Sequence, residues 1–381
     1  MREDAERLKL RRATFCLWPL LLGAAAAHPS RHPLPEYAPV QAVVLSADLF
    51  EADYHAPELI AAITKAGAEA LVALPNGNGG AAGVASADAL ALAAKLRAQG
   101  VPDAVLAHTH AVPLAHGNLW MRDYGPFPVL DAARGLVFAD LRYSDPASRA
   151  NDEFPTVLGR FLGVPVEPVD VELDGGNFLT NGDFCFTSAA DLPIRRDQFP
   201  GAEALPRYGS RLGCRRTIVV RNPPHPHLDM WAKIVDDRTV LVNELDEAAL
   251  AVAAERNAGR VPDDLRSLAR SLDEKARELS ATLTVKRLPM PLPYRGSFRT
   301  FSNALLVNGH AILPSYAKWG WGHDEYPDAA REAFYEARAR QVYEAAGYRV
   351  DFVNADALVY NGGALRCVTS PVPKIHAAKG S

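Results

Sequence analysis

Four residues of this 381-residue chain could do chemistry together: a cysteine, a histidine and two aspartates. Cys367 lies in Asn361-Gly362-Gly363-Ala364-Leu365-Arg366-Cys367-Val368-Thr369, where a glycine turn ahead of a strand can present a thiol at the strand tip. His227 and Asp229 lie in Pro224-His225-Pro226-His227-Leu228-Asp229-Met230. In an extended segment, residues i and i+2 face the same side. A thiol beside an imidazole is a pair for nucleophilic catalysis. A lone cysteine is more often an inert small hydrophobe. The His precedes the Cys, the reverse of papain-like order, and no Q-A-C or C-G-x-C-W signature is present. A protease therefore finds little support.

Carboxylates beside a thiol raise its pKa and suppress the thiolate. They make sense when the substrate is a cation. A planar guanidinium offers five N–H donors and pairs with carboxylates in fork geometry. Asp123 and Asp229 could hold one from two sides, and the bound cation would favour the thiolate next to its carbon. The residue types thus favour a guanidino electrophile.

The elements that must position these residues recur. Strand-length apolar runs stand at Ala42–Leu45, Ala70–Leu74, Leu136–Phe138, Thr217–Val220 and Thr282–Val285, with helical patterns at Pro57–Ala66 and Ala87–Gln99. Alternating strands and helices imply an α/β class. Hairpins follow at 177–186 with an Asn181-Gly182 turn, at 233–242 with Asp236-Asp237, and at 304–313 with Asn308-Gly309. A longer-looped version spans 128–138. A polar residue precedes each strand pair: Asp123, Asn177, Asp229 and Asn303, with Cys367 before a final short strand. Allowing for the charged helical stretches 247–282 and 327–346, one module of about fifty residues recurs, a period typical of propellers and arrays. Equivalent positions in radial repeats face a common centre. For one such residue, an ordinary turn role is the better explanation; five in register point to convergence.

Trp120-Met121-Arg122-Asp123-Tyr124-Gly125-Pro126 resembles the W-x-R-D-x-G-P motif of the agmatine deiminase and Porphyromonas-type peptidylarginine deiminase family. Gly175-Gly176-Asn177, His227-x-Asp229, Ser302-Asn303-Ala304 and Gly362-Gly363…Cys367-x-Thr369…Pro371 resemble its remaining motifs in order, across roughly residues 35–375. So does the run from Asp229 to Asp237. The resemblance implies a pentein fold, a five-bladed α/β propeller, and hydrolysis of a guanidinium to a ureido group with release of ammonia. By the same resemblance, Cys367 is the nucleophile, His227 the general acid and then base, and Asp123 and Asp229 the grip on the guanidinium. Asn303 matches an active-site Asn of the peptidylarginine branch. Trp120 would pack on the substrate stem, and Asn177 joins the substrate contacts. No metal or organic cofactor is implied. The chain departs from the agmatine branch by carrying Arg366 where a His is usual, and by its shorter glycine run. The other branch holds a C-terminal carboxylate with two arginines; here Ala147 replaces the first and Arg149 matches the second. Arg149 is thus either a carboxylate contact or a surface arginine.

Residues 1–27 read as a signal peptide: a basic stretch diluted by Glu3, Asp4 and Glu6, a short apolar run and a small-residue stretch. That places the protein in the periplasm or outside the cell, or in the cytoplasm if the start is mis-assigned. Residues 34–381 form the expected single catalytic domain, and the short tail after Cys367 predicts no further one. Loss of Cys16 with the signal leaves three cysteines and at least one free thiol. Cys185 reads as ordinary strand packing between Phe184 and Phe186; nothing is legible for Cys214. A formal charge of -4 argues against a nucleic-acid partner, and no later segment reads as a membrane span. Arg122 reads as a scaffold ion-pair partner, Gly175 and Gly176 as a tight turn or close approach, and Trp319 and Trp321 as a loop over the site or a core cap. Three functions stay open: an exported deiminase of peptidyl or C-terminal arginine, an agmatine deiminase serving putrescine synthesis, and a catalytically silent guanidino-binding protein.

Overall fold

Strand pairing divides the protein into five sheets. The computed structural model describes residues 30–50, 54–74, 86–145, 148–189, 205–293, 297–316 and 329–374. Each of the first four sheets repeats one plan: an antiparallel hairpin, then a third strand parallel to the second. The first holds Phe127–Asp131, Gly135–Arg142 and Val166–Glu172, with Arg31–Pro33 added on the free edge. The second holds Phe178–Thr180, Phe184–Ala189 and Arg216–Arg221. The third holds Ala232–Ile234, Thr239–Glu244 and Thr284–Pro289. The fourth holds Leu305–Val307, His310–Ser315 and Arg349–Asn354. The fifth joins the chain's two ends: Thr369–Pro373 pairs antiparallel with Val40–Ser46, which continues into Glu69–Ala73 and Thr109–Val112. This is the five-bladed α/β propeller that the family resemblance implies, in agreement with the repeat.

Local chemistry explains the plan. Asn308 (φ 48°) and Gly309 (φ 80°) supply the two left-handed residues of a tight hairpin turn. Asp236 does the same work differently, its Oδ1 accepting from the backbone N–H of Arg238 and Thr239. A parallel third strand requires a crossover, and helices provide it: Phe154–Leu162, Leu205–Leu212 and Ala329–Ala345 among them. The helix Ala56–Lys65 buries Leu59, Ile60, Ala62 and Ile63 on one face and ends before Gly67 (φ 77°). The 247–282 stretch is two helices, Glu247–Glu255 and Asp263–Leu279. Ala258 (φ 51°), Gly259 (φ 82°) and Pro262 separate them. The second buries Leu272, Lys275, Ala276 and Leu279.

Cys185 is not ordinary packing. It forms a disulfide with Cys214, Cα atoms 5.7 Å apart. Cys185 pairs in register with Thr217 on the neighbouring parallel strand, and the turn before that strand brings Cys214 back alongside. Cys367 is the one free thiol among the described residues. Trp319, Trp321 and the presumed signal lie outside the described residues.

Candidate active site

The residues with chemical potential sit at one structurally equivalent place, the turn ahead of each blade's hairpin strand. Asp123 precedes Phe127–Asp131, and Asp174 to Asn177 precede Phe178–Thr180. His227 and Asp229 precede Ala232–Ile234, Asn303 precedes Leu305–Val307, and Cys367 precedes Thr369–Pro373. Convergence follows from blade symmetry.

Cys367 is buried, and its Sγ accepts from Asn303 Nδ2 at 3.1 Å. Asn303 Oδ1 accepts from the backbone N–H of Arg366 at 2.9 Å, so one amide fixes both the turn and the sulfur. The thiol lies 3.8 Å from Asp229 Oδ2. Burial, then Asp229 and Asp123, push its pKa well above the usual thiol range. The resting sulfur is therefore a neutral thiol.

His227 lies between two carboxylates: Nδ1 is 3.8 Å from Asp123 Oδ1 and Nε2 is 3.6 Å from Asp174 Oδ2. Burial alone would lower its pKa; Asp123, Asp174 and Asp229 outweigh this and raise it to about 9. Asp123 is pushed up to about 7, chiefly by burial, with Asp174 and Asp229 adding to this and His227 opposing it. Its Oδ1 also accepts from Gly176 N–H at 3.0 Å. Both glycines are there for close approach: a Cβ on Gly175 would stand 2.0 Å from the Arg122 carbonyl, and one on Gly176 2.4 Å from His227 Nδ1.

Asp174 was missed in the sequence, although it directly precedes the quoted Gly175-Gly176 pair. Ser144 pins it, donating from backbone N–H and from Oγ. The available signal was chemical: an imidazole that must stay protonated beside a nucleophile needs a carboxylate on its second nitrogen.

Trp120 belongs to the site. A Cβ placed on Gly363 would lie 2.4 Å from Trp120 Cζ3 and 3.1 Å from Cys367 Sγ, so ring and sulfur flank the same backbone atom. The segment leading to Trp120 is tied down by a hydrogen bond between Ser46 Oγ and His116 Nε2 (2.7 Å) and by Asn151 Oδ1 accepting from Gly117 N–H.

Two expected substrate contacts have partners within the chain. Asn177 is buried with its amide spent on Ser188: Nδ2 donates to the Ser188 carbonyl, and Oδ1 accepts from Ser188 N–H and Oγ. Ser188 Oγ is also 2.6 Å from the Pro226 carbonyl, so Asn177 braces the segment that carries His227. Arg149 is 89% exposed and pairs with Glu153 at 2.7 Å.

Beneath the site lies a second charged cluster. Glu36 contacts Arg366, Lys233 and Arg122. These cations outweigh its burial and hold it well below the usual carboxylate range. Arg122 is thus the scaffold partner expected.

A family model for Porphyromonas-type peptidyl-arginine deiminase matches residues 41–373. The chain belongs to this family. Its fold matches the putative arginine deiminase from Porphyromonas gingivalis at 20% identity, covering 91% of this chain and all of that one, with a TM-score of 0.65. It also matches C. jejuni agmatine deiminase at 16% identity, covering 90% and 96%, TM-score 0.64. Enterococcus faecalis agmatine deiminase gives 15% identity, 90% and 96%, TM-score 0.65. The protein is an enzyme of the guanidino-group deiminase type, acting on C–N bonds.

Proposed function

We propose that the protein hydrolyses peptidyl or C-terminal arginine to citrulline and ammonia outside the cytoplasm, through a covalent thioether on Cys367. One observation carries the chemistry: Asp229, whose Oδ2 lies 3.8 Å from the thiol, has its other oxygen, Oδ1, buried with no hydrogen-bond partner among the described residues. A buried carboxylate oxygen left so is completed by an arriving donor, and a guanidinium supplies one.

The bound cation offsets the carboxylates, and the Cys367 proton leaves to solvent. The thiolate attacks the guanidino carbon, forming a C–S bond. The C–N bond to one terminal nitrogen breaks as His227 gives that nitrogen its proton. Ammonia leaves and takes up a proton as ammonium. Neutral His227 then accepts one proton from the attacking water, and the other ends on the departing sulfur. The C–S bond breaks, giving the ureido product, the thiol and protonated His227. Asp123 and Asp229 orient the cation, Asn303 holds the sulfur, and Trp120 walls the stem.

Export is supported by the composition of residues 1–27 and by the Cys185–Cys214 disulfide, since such bonds persist in oxidising compartments. A second substrate, agmatine, is favoured by Ala147, which stands where the peptidylarginine branch carries the first of its two carboxylate-holding arginines. The test is ureido-product formation by the 28–381 chain from agmatine, free arginine, a peptide with internal arginine and one with C-terminal arginine, with Cys367→Ala as control. Turnover of peptides alone supports the reading. Turnover of agmatine alone overturns the peptidyl substrate and the export argument with it. Binding of all four without turnover would make this a silent guanidino-binding protein.

A further inference from the structure

Arg366 is the residue before the nucleophile, and it is 2% exposed. Its guanidinium is engaged on every side. Nη1 donates to Asp229 Oδ2 at 2.7 Å and to the Gly175 carbonyl at 3.0 Å. Nη2 donates to the Phe178 carbonyl at 3.1 Å, and Nε to Glu36. Its backbone N–H is held by Asn303 Oδ1. One side chain therefore links the second blade, the third blade, the N-terminal segment and the thiol's own turn. The protein already contains a guanidinium bound to the carboxylate expected to bind the substrate's. That carboxylate is split: Oδ2, the oxygen 3.8 Å from the thiol, is occupied by Arg366, and Oδ1 is buried without a partner among the described residues.

A free carboxylate facing a guanidinium prefers a two-pronged fork. At Asp229 a fork would draw both terminal nitrogens of the substrate onto one side, away from Asp123, and turn the reacting carbon off the line to Cys367 Sγ. We propose that Arg366 is a positioning residue: by permanently holding Oδ2 of Asp229 it leaves only Oδ1 for the substrate, which must then share its nitrogens between Asp229 and Asp123. Lysine cannot fully replace it, because a point charge on a flexible stem cannot satisfy acceptors on four sides of a plane. The proposal rests on the deiminase reading for its kinetic consequence, but the division of Asp229 stands on geometry alone.

The experiment compares Arg366→Gln and Arg366→Lys with wild type, with rates normalised to alkylatable Cys367 so that misfolded protein does not count. For Arg366→Gln, kcat should fall at least about tenfold while KM does not rise, the mark of lost alignment as opposed to lost binding. Arg366→Lys should lose less. A lower melting temperature with normalised kcat and KM unchanged would overturn the proposal, as would a rise in KM alone. A second readout needs no turnover: protection of Cys367 from iodoacetamide by guanidinium ion. Arg366→Gln opens a second guanidinium-shaped place on Asp229, so half-protection should come at a concentration at least about fivefold lower. No shift overturns the proposal, whereas a wild type without turnover counts against the deiminase reading only. If Arg366→Gln does not fold, Arg366→Lys decides in both assays, and identity with wild type overturns the claim.

Discussion

Two buried charge clusters meet at Asp229, and they are built on opposite principles. Below it, Glu36 is surrounded by Arg122, Lys233 and Arg366, an anion saturated by cations of the protein itself. Above it, Asp123 and Asp174 flank His227, a thiol stands against Asp229, and one Asp229 oxygen is unpaired among the described residues. Burial is similar; satisfaction is not. Asp123 is driven up toward neutrality while Glu36 is driven down. The contrast separates a scaffold from a site: charges that serve folding find partners inside the chain, and charges that serve chemistry wait for one from outside.

The contrast can be broken by substitution. In the upper cluster, His227→Ala should lower turnover about a thousandfold or more, since one imidazole serves both half-reactions; near-normal ureido formation would sink the assignment. In the lower cluster, Glu36→Gln leaves three buried cations facing one another and should cost about 3–5 kcal/mol in a urea melt. An unchanged midpoint would show that the cluster is not a structural plug.

The pH dependence of kcat/KM sharpens the same line. The free enzyme must hold Asp123 ionised and His227 protonated. The profile should fall on the acid side through about 7 and on the alkaline side through about 9. A flat profile across that range would remove both residues from their roles.

Smaller effects lie away from both clusters. Replacing Cys185 and Cys214 by Ala opens a loop with a sequence separation of 29 and should lower stability by about 3 kcal/mol, with kcat per folded molecule unchanged. Arg149→Ala should move stability by less than about 0.5 kcal/mol and leave KM for agmatine alone. A tenfold rise in KM for a C-terminal arginine peptide would assign Arg149 to the substrate carboxylate.

The upper cluster was more legible in the sequence than the lower one, for a physical reason. Its members recur once per blade, so Asp123, Asp229, Asn303 and Cys367 announce themselves by position. Asn177 occupies the equivalent position yet faces the neighbouring strand of its blade, because periodicity fixes a place and not a side-chain direction. Asp174 stands outside the repeat's polar position. Glu36 and Lys233 are joined across 197 residues and follow no period. The disulfide pairing likewise depends on strand register, which spacing alone does not give.

The central claim is that Cys367 becomes covalently attached to the guanidino carbon. The direct measurement is intact-protein mass spectrometry after rapid acid quench of the enzyme mixed with saturating substrate. The account predicts a species heavier by the substrate less one ammonia, mapped to Cys367 and missing from Cys367→Ala. Ureido product formed with no such adduct, or formed equally by Cys367→Ala, would contradict it.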